Sequence, residues 1–238
     1  MKDGFIKVAC ATVPIEVCDV RHNLDVIKEA IVKAEQKQIN VLLFSELTLS
    51  SYTAGDLFYS ALLVDKSKEA LIELAHFTKG KYPIVIVGVP LKYQTKLYNC
   101  AAVLANGNIL GIAAKSYLPN SHEFYEMRQF TSALELSDDA AVQIDGKEIP
   151  FGRNLLFAHE SLTDYRFALE ICEDLWAAHT PSEELALAGA NIIFNPSASD
   201  ELIGKADYRR LLIKSTSARL LSGYVYANAP YSESTQDM

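Results

Sequence analysis

Short stretches in which every residue is apolar alternate along this chain with stretches whose apolar residues recur at helical spacing. Val41-Leu42-Leu43-Phe44 is wholly apolar, and Ile84–Val89 reads the same way. Such runs suit strands covered on both faces, because a half-exposed strand would alternate apolar and polar residues. Between them, Leu24, Ile27, Ala30, Ile31 and Ala34 fall on one helical face, so the spacing predicts a helix over Leu24–Gln38 capped by Asn23. A second helix is expected over Lys66–Lys79, closed by Gly80. A chain that keeps switching between these two periods is an α/β protein with sheets buried under helices.

Further elements follow the same logic. Phe5–Val13 alternates like a strand, and Leu97–Leu104 and Ile109–Ala114 flank Asn106-Gly107, a pair suited to a tight hairpin turn that needs positive φ at both positions. Strands are expected at Asn154–Ala158, Tyr165–Ile171, Asn191–Asn195 and Tyr224–Ala229, with helices opened by Pro181 and over Tyr208–Ser222. The hairpin among strand–helix–strand units implies mixed sheets. Residues 116–150 are the least regular stretch. With no linker, repeat or low-complexity tract, residues 1–238 read as one domain.

Composition removes several functions. Lys plus Arg number 22 against 30 Asp plus Glu, a formal charge of −8, with no basic stripe to draw in a nucleic acid. No stretch approaches the roughly 18 apolar residues of a membrane span. Met1–Lys7 carries charges where a signal peptide needs an apolar core. The four cysteines, Cys10, Cys18, Cys100 and Cys172, show neither metal-ligand spacing nor a disulfide framework, so a reduced cytoplasmic protein without a metal is expected.

Open α/β sheets carry their reactive groups where strands end and loops fan out over a crevice. Glu46 follows Val41–Phe44, Lys115 follows Ile109–Ala114, and Cys172 follows Phe167–Ile171. A carboxylate, an ammonium and a thiol meeting there would supply a base, an oxyanion stabiliser and a nucleophile. Taken singly, each has an ordinary reading as well: a buried structural thiol, a turn-capping glutamate, a solvated lysine.

Their surroundings narrow the choice. Phe44-Ser45-Glu46-Leu47, Lys115-Ser116-Tyr117-Leu118-Pro119 and Glu170-Ile171-Cys172-Glu173-Asp174-Leu175-Trp176 follow the order of the nitrilase (carbon–nitrogen hydrolase) superfamily, which the chain resembles along essentially its whole length. Within it the sequence looks most similar to the N-terminal glutaminase domain of glutamine-dependent NAD synthetases. Glu46–Phe58, Lys115–Phe130, Cys172–Trp176 and Gly204–Arg210 carry that likeness. The resemblance implies an αββα four-layer sandwich and a Glu46–Lys115–Cys172 triad that hydrolyses the glutamine side-chain amide through a γ-glutamyl thioester. It also implies that the Glu173 backbone N–H helps to hold the oxyanion, and that Glu123, eight positions after the lysine, keeps Lys115 in register. L-glutamine would be met by Ser121, Ser199 and Lys205, with Tyr52 against the pocket wall. No cofactor would be needed.

Three departures from the family pattern are notable. Lys205 stands where an arginine is usual, Ser121 where an aromatic hydroxyl is usual, and Ser51 where a glycine is usual. Lysine keeps the charge of arginine but loses its bidentate fork, which predicts weaker glutamine binding. Tyr231–Met238 resembles the start of a segment that in the family runs on into further strands, and no Ser-Gly-Gly-type pyrophosphate loop is present. A C-terminally truncated sandwich is therefore expected, without the ATP-dependent synthetase domain to which ATP and Mg would belong. Its last strand would be an open edge, and homo-oligomers are expected. A freestanding amidase for another small amide, or a vestigial scaffold that binds a partner, would keep the same fold.

Overall fold

The computed structural model describes residues 4–160 and 162–233, so Met1–Asp3 and the final residues of the chain lie outside the described residues. Among the described residues, eleven strands form two sheets, accompanied by four α-helices. The larger holds β1 (Val8–Ala11), β2 (Val41–Phe44), β3 (Ile84–Tyr93), β4 (Lys96–Ala105), β5 (Asn108–Ala114), β6 (Ala141–Ile144) and β7 (Lys147–Gly152) in the order β1-β2-β3-β4-β5-β7-β6. The smaller holds β8 (Leu156–Ala158), β9 (Arg166–Leu169), β10 (Ile192–Pro196) and β11 (Gly223–Ala227) in the order β11-β10-β9-β8. Both are mixed, as the hairpin implied: β1, β2 and β3 run parallel, β3–β4–β5 antiparallel, and β9, β10 and β11 parallel.

The side-chain alternation of β2 generates the layers. Leu42 and Phe44 face α1 (Val20–Gln36) and α2 (Ala61–Phe77), packing with Leu24, Ile27, Ile31, Leu71 and Leu74. Val41 and Leu43 point the other way and meet Phe167, Leu169 and Phe194 of the smaller sheet. Both faces of β2 are thus covered, which is why its run contains no polar residue. On the far side, Leu185 of α3 (Pro181–Leu187) packs on Ala168 and Ile193, and α4 (Lys205–Leu220) lies along β11. The result is the expected αββα sandwich.

Three local expectations are corrected. Asn23 does not cap α1: Asp19 does, accepting the His22 N–H at 3.0 Å, and the helix starts at Val20. Asn23 is instead buried, exchanging hydrogen bonds with the Glu16 backbone and reaching Leu49 O, so its polarity serves a tertiary contact. Residues 116–150 hide the hairpin β6–β7, turned at Asp145-Gly146 with φ of 51° and 71°. That pair carries the same signal as Asn106-Gly107, whose φ values are 46° and 83°. Third, α4 begins at Lys205, not Tyr208. As expected, β11 is an edge strand. No helix among the described residues is long and apolar enough to cross a membrane.

Candidate active site

Glu46, Lys115 and Cys172 sit in the loops that leave β2, β5 and β9. The Glu46 loop rests directly on β3. A Cβ on Gly88 would lie 2.1 Å from Leu47 N and 2.8 Å from Glu46 C, so only glycine allows this approach. Lys115 is set by the β4–β5 ladder. Cys100 pairs with Ala114, and one step further the Lys115 N–H donates to Asn99 O at 2.9 Å. Asn99 and Lys115 are therefore cross-strand neighbours, and both side chains reach Glu46.

Glu46 and Lys115 are fully buried. Lys115 Nζ donates to Glu46 Oε1 at 2.7 Å and to Glu126 Oε1 at 2.6 Å. Glu46 Oε1 also accepts from Asn99 Nδ2 at 2.7 Å, and Oε2 from the Ala198 N–H at 2.9 Å. The Cys172 sulfur lies within electrostatic reach of Glu46, Lys115 and Glu126.

The charges define the resting state. Burial, and then the Glu46 carboxylate, push the Cys172 thiol well above the usual thiol range, so the sulfur is protonated at neutral pH. Burial works to lower Lys115, but Glu126 and Glu46 outweigh it and hold the ammonium charged. Burial raises Glu126 against the pull of Lys115, while Tyr52 donates its hydroxyl to Glu126 Oε1 at 2.7 Å. A neutral thiol beside a carboxylate already ligated by three donors is poised for proton transfer during attack rather than before it.

The structure corrects the second carboxylate. Glu126, not Glu123, contacts Lys115. The loop after Lys115 folds so that the Glu126 N–H donates to Pro119 O at 3.0 Å and the Phe124 N–H to Ser121 O at 3.1 Å. This turns Glu126 inward and leaves Glu123 half-buried at the pocket margin beside Tyr52, Phe124 and Tyr125. Spacing from the lysine could not reveal this, because an irregular loop has no period to count along. Tyr52, expected at the wall, lines the pocket and also holds Glu126.

The other expected residues are placed unevenly. The Glu173 N–H, in the 3₁₀ turn Cys172–Leu175, makes no hydrogen bond to another described residue. Lys205 is half-buried, paired with Asp200, its Nζ 5.6 Å from the Phe124 ring centre and 5.4 Å from that of Trp176. Burial lowers its pKa. Ser199 is buried, its N–H and carbonyl taken by Asn228 at 2.8 and 3.0 Å. Ser121 is exposed.

Sequence reasoning missed Asn99 and Asp174. Asn99 is the lone polar residue in the apolar part of its strand, and a buried amide always needs partners, so the signal was there. Asp174, 1% exposed, accepts the N–H groups of Ser116, Tyr117 and Ile171 at 3.0, 2.8 and 2.9 Å. It ties the loop of Lys115 to the loop of Cys172. Burial pushes its carboxyl up to about 8 against those donors. No group of three or more His, Cys, Asp or Glu among the described residues is arranged to hold a metal ion.

The sandwich, and the thiol, carboxylates and ammonium gathered where its strands end, define a nitrilase-type hydrolase of carbon–nitrogen bonds. The chain belongs to the carbon–nitrogen hydrolase family, whose pattern matches residues 7–227. It is 38% identical over 235 residues to the glutamine-dependent NAD(+) synthetase of Mycobacterium tuberculosis, covering 99% of this chain and 34% of that protein. The Aquifex aeolicus protein of the same description is 29% identical over 224 residues, covering 94% and 35%. The chain thus spans about a third of the length of these relatives. Among solved structures, a glutamine-dependent NAD(+) synthetase from Cytophaga hutchinsonii superimposes with a TM-score of 0.81 at 29% identity, covering 94% of this chain and 36% of that one. An amidase from Nesterenkonia sp. shares the fold with a TM-score of 0.71 at 17% identity, covering 96% and 78%.

Proposed function

We propose that this chain hydrolyses the side-chain amide of L-glutamine, with Cys172 as nucleophile. Glu46 takes the thiol proton as the sulfur attacks the amide carbon. Lys115 and the Glu173 N–H take the charge that develops on the carbonyl oxygen. Collapse of the tetrahedral adduct breaks the carbon–nitrogen bond, Glu46 returns the proton to the leaving ammonia, and a γ-glutamyl thioester remains. Water, deprotonated by Glu46, then releases glutamate and restores the thiol. Glu126 and Tyr52 keep Lys115 directed at the reacting centre.

The observation that carries this reading is the fully buried Glu46–Lys115 pair at 2.7 Å, with the Cys172 thiol within electrostatic reach of both. Glutamine as substrate is supported by the kinship to glutamine-dependent NAD(+) synthetases at 38% identity. Lys205, half-buried over the rings of Phe124 and Trp176, would take the substrate α-carboxylate. In the longer relatives the released ammonia would amidate deamido-NAD on a synthetase domain, where ATP and Mg would be bound; the hydrolysis itself calls for no cofactor.

Ammonia release from glutamine, asparagine and a panel of simple primary amides tests the reading. Glutamine is expected to be preferred, and Cys172→Ala to abolish release. Preference for a simple amide would make the chain an amidase of another specificity. A folded protein inert on all of them would refute the reading.

A further inference from the structure

The backbone around Cys172 leaves one donor free. Ile171 N–H donates to Asp174 Oδ2 at 2.9 Å, Cys172 N–H to Asn195 Oδ1 at 2.9 Å, and Asp174 N–H to Ile171 O at 3.0 Å. Among the described residues, only the Glu173 N–H in this run has no acceptor. Cys172 itself has φ of 46°, in the left-handed region that is strained for a non-glycine residue. A strained residue persists only where its surroundings over-determine it.

Asn195, in β10, supplies that constraint. It is fully buried, and its Oδ1 also accepts from Ser197 Oγ at 2.7 Å. Its Nδ2 donates to Tyr224 OH at 2.9 Å, and the Tyr224 hydroxyl in turn donates to Glu170. The second Glu170 oxygen accepts the Ser182 N–H, at the start of α3, at 2.9 Å. The amide cannot turn over, because a flipped Asn195 would set NH₂ against the Cys172 N–H. The relay therefore runs without a break from the nucleophile through β10 and β11 to α3.

We infer that Asn195 is a positioning residue for the thiol: by occupying the Cys172 N–H it locks the strained elbow, aims the sulfur at Glu46 and leaves the Glu173 N–H as the one backbone donor for the oxyanion. Tyr224 and Glu170 hold the Asn195 amide in that orientation. The inference rests on Cys172 being the nucleophile, as proposed above, but not on which amide is cleaved.

The test compares Asn195→Ala, Asn195→Asp and Tyr224→Phe with wild type. Asn195→Ala frees the elbow, and kcat on glutamine is expected to fall about a hundredfold with KM within about twofold, the cost of displacing a reacting atom by about 1 Å. Asn195→Asp keeps an acceptor for the Cys172 N–H but sets a negative charge near the thiol. It should recover at least about tenfold over Asn195→Ala, with its pH–rate profile moved to higher pH. Tyr224→Phe keeps the Cys172 contact and loosens the amide, for a severalfold loss in kcat alone; it carries the test if Asn195→Ala does not fold. Turnover of Asn195→Ala within about threefold of wild type, Asn195→Asp no better than Asn195→Ala, or unchanged kcat in Tyr224→Phe would overturn the inference. If wild type cleaves no amide, the proposed function fails, and alkylation of Cys172 by iodoacetamide, read by peptide mass spectrometry, replaces turnover. Asn195→Ala should then slow alkylation by about tenfold or more, and equal rates would overturn the inference.

Discussion

Glu46, Lys115 and Glu126, the floor of the candidate site, are 0, 0 and 5% exposed, and each charged group is held by at least two partners. Of the groups expected to meet substrate, the rim of the site, Ser121 is exposed, Glu123 is half-buried, and Lys205 leans on two aromatic rings and one carboxylate. The floor is built so that its charges cannot move without breaking buried pairs, and that rigidity suits a proton transfer. The rim is built from groups that stay partly in water, where a change costs little and substrate preference can drift. Ser121 and Lys205, the two rim positions expected from the sequence to differ from the family pattern, fall on the partly exposed side of that division.

The largest effect expected belongs to the floor. Glu126→Gln leaves Lys115 with one carboxylate in a dry site, so stability should fall by about 3–5 kcal/mol, the usual cost of breaking a buried pair. Turnover should fall by about a hundredfold or more as Lys115 loses its aim. Glu123→Gln, three residues earlier, should change kcat by less than about threefold. Thermal melts and initial rates on the two variants decide the comparison, and equal losses would erase the distinction between floor and rim.

Gly88→Ala comes next. Its methyl group would press on the backbone at Leu47 and Glu46. A cost of about 1–3 kcal/mol in stability is expected, with a larger fractional loss in kcat than in substrate affinity. A kcat equal to wild type in a folded Gly88→Ala protein would show that the Glu46 loop tolerates displacement.

A pH effect sharpens the same contrast. The native Asp174 carboxyl is raised to about 8, above its unfolded value, so the folded state holds its proton more tightly. The stability this confers is full below the unfolded pKa, near 4, and is lost as pH rises through 8. The melting temperature should therefore decline over that window, and Asp174→Asn, which cannot titrate, should flatten the decline while lowering stability overall. An identical pH slope in the variant would contradict the assignment.

Smaller effects are expected at the rim and in its supporting loop. Lys205→Arg restores a bidentate fork and should lower KM for glutamine severalfold with kcat unchanged; no change in KM would remove Lys205 from carboxylate recognition. Ser51 has φ of 74°, so the serine at a position where glycine is usual is strained. Ser51→Gly should raise stability by up to about 1 kcal/mol, offset in part by loss of the Ser51 Oγ contact to the Cys18 N–H.

The floor was also the more legible half of the site. Glu46, Lys115 and Cys172 each follow a short apolar run, and apolar runs report buried strands whatever surrounds them. The layers could be read for the same reason: every residue of β2 is buried, and so every residue is apolar. Glu126 was hidden because the fold of its loop depends on two backbone hydrogen bonds that no side-chain pattern announces. Asn23 misled because an Asn before an apolar helical face caps a helix in most settings, whereas here a tertiary contact to Leu49 wins. Asn195 carries no periodic signal, and its importance lies in which backbone group it meets across the sheet.

The central claim is that Cys172 forms a γ-glutamyl thioester under the direction of Glu46 and Lys115. The most direct test is reaction with a glutamine-mimicking diazoketone, with the adduct located by peptide mass spectrometry. The account predicts modification at Cys172 alone, blocked by excess glutamine and lost in Glu46→Gln. Modification spread over Cys10 and Cys18 with Cys172 untouched, or an adduct at Cys172 that glutamine does not compete away, would contradict it.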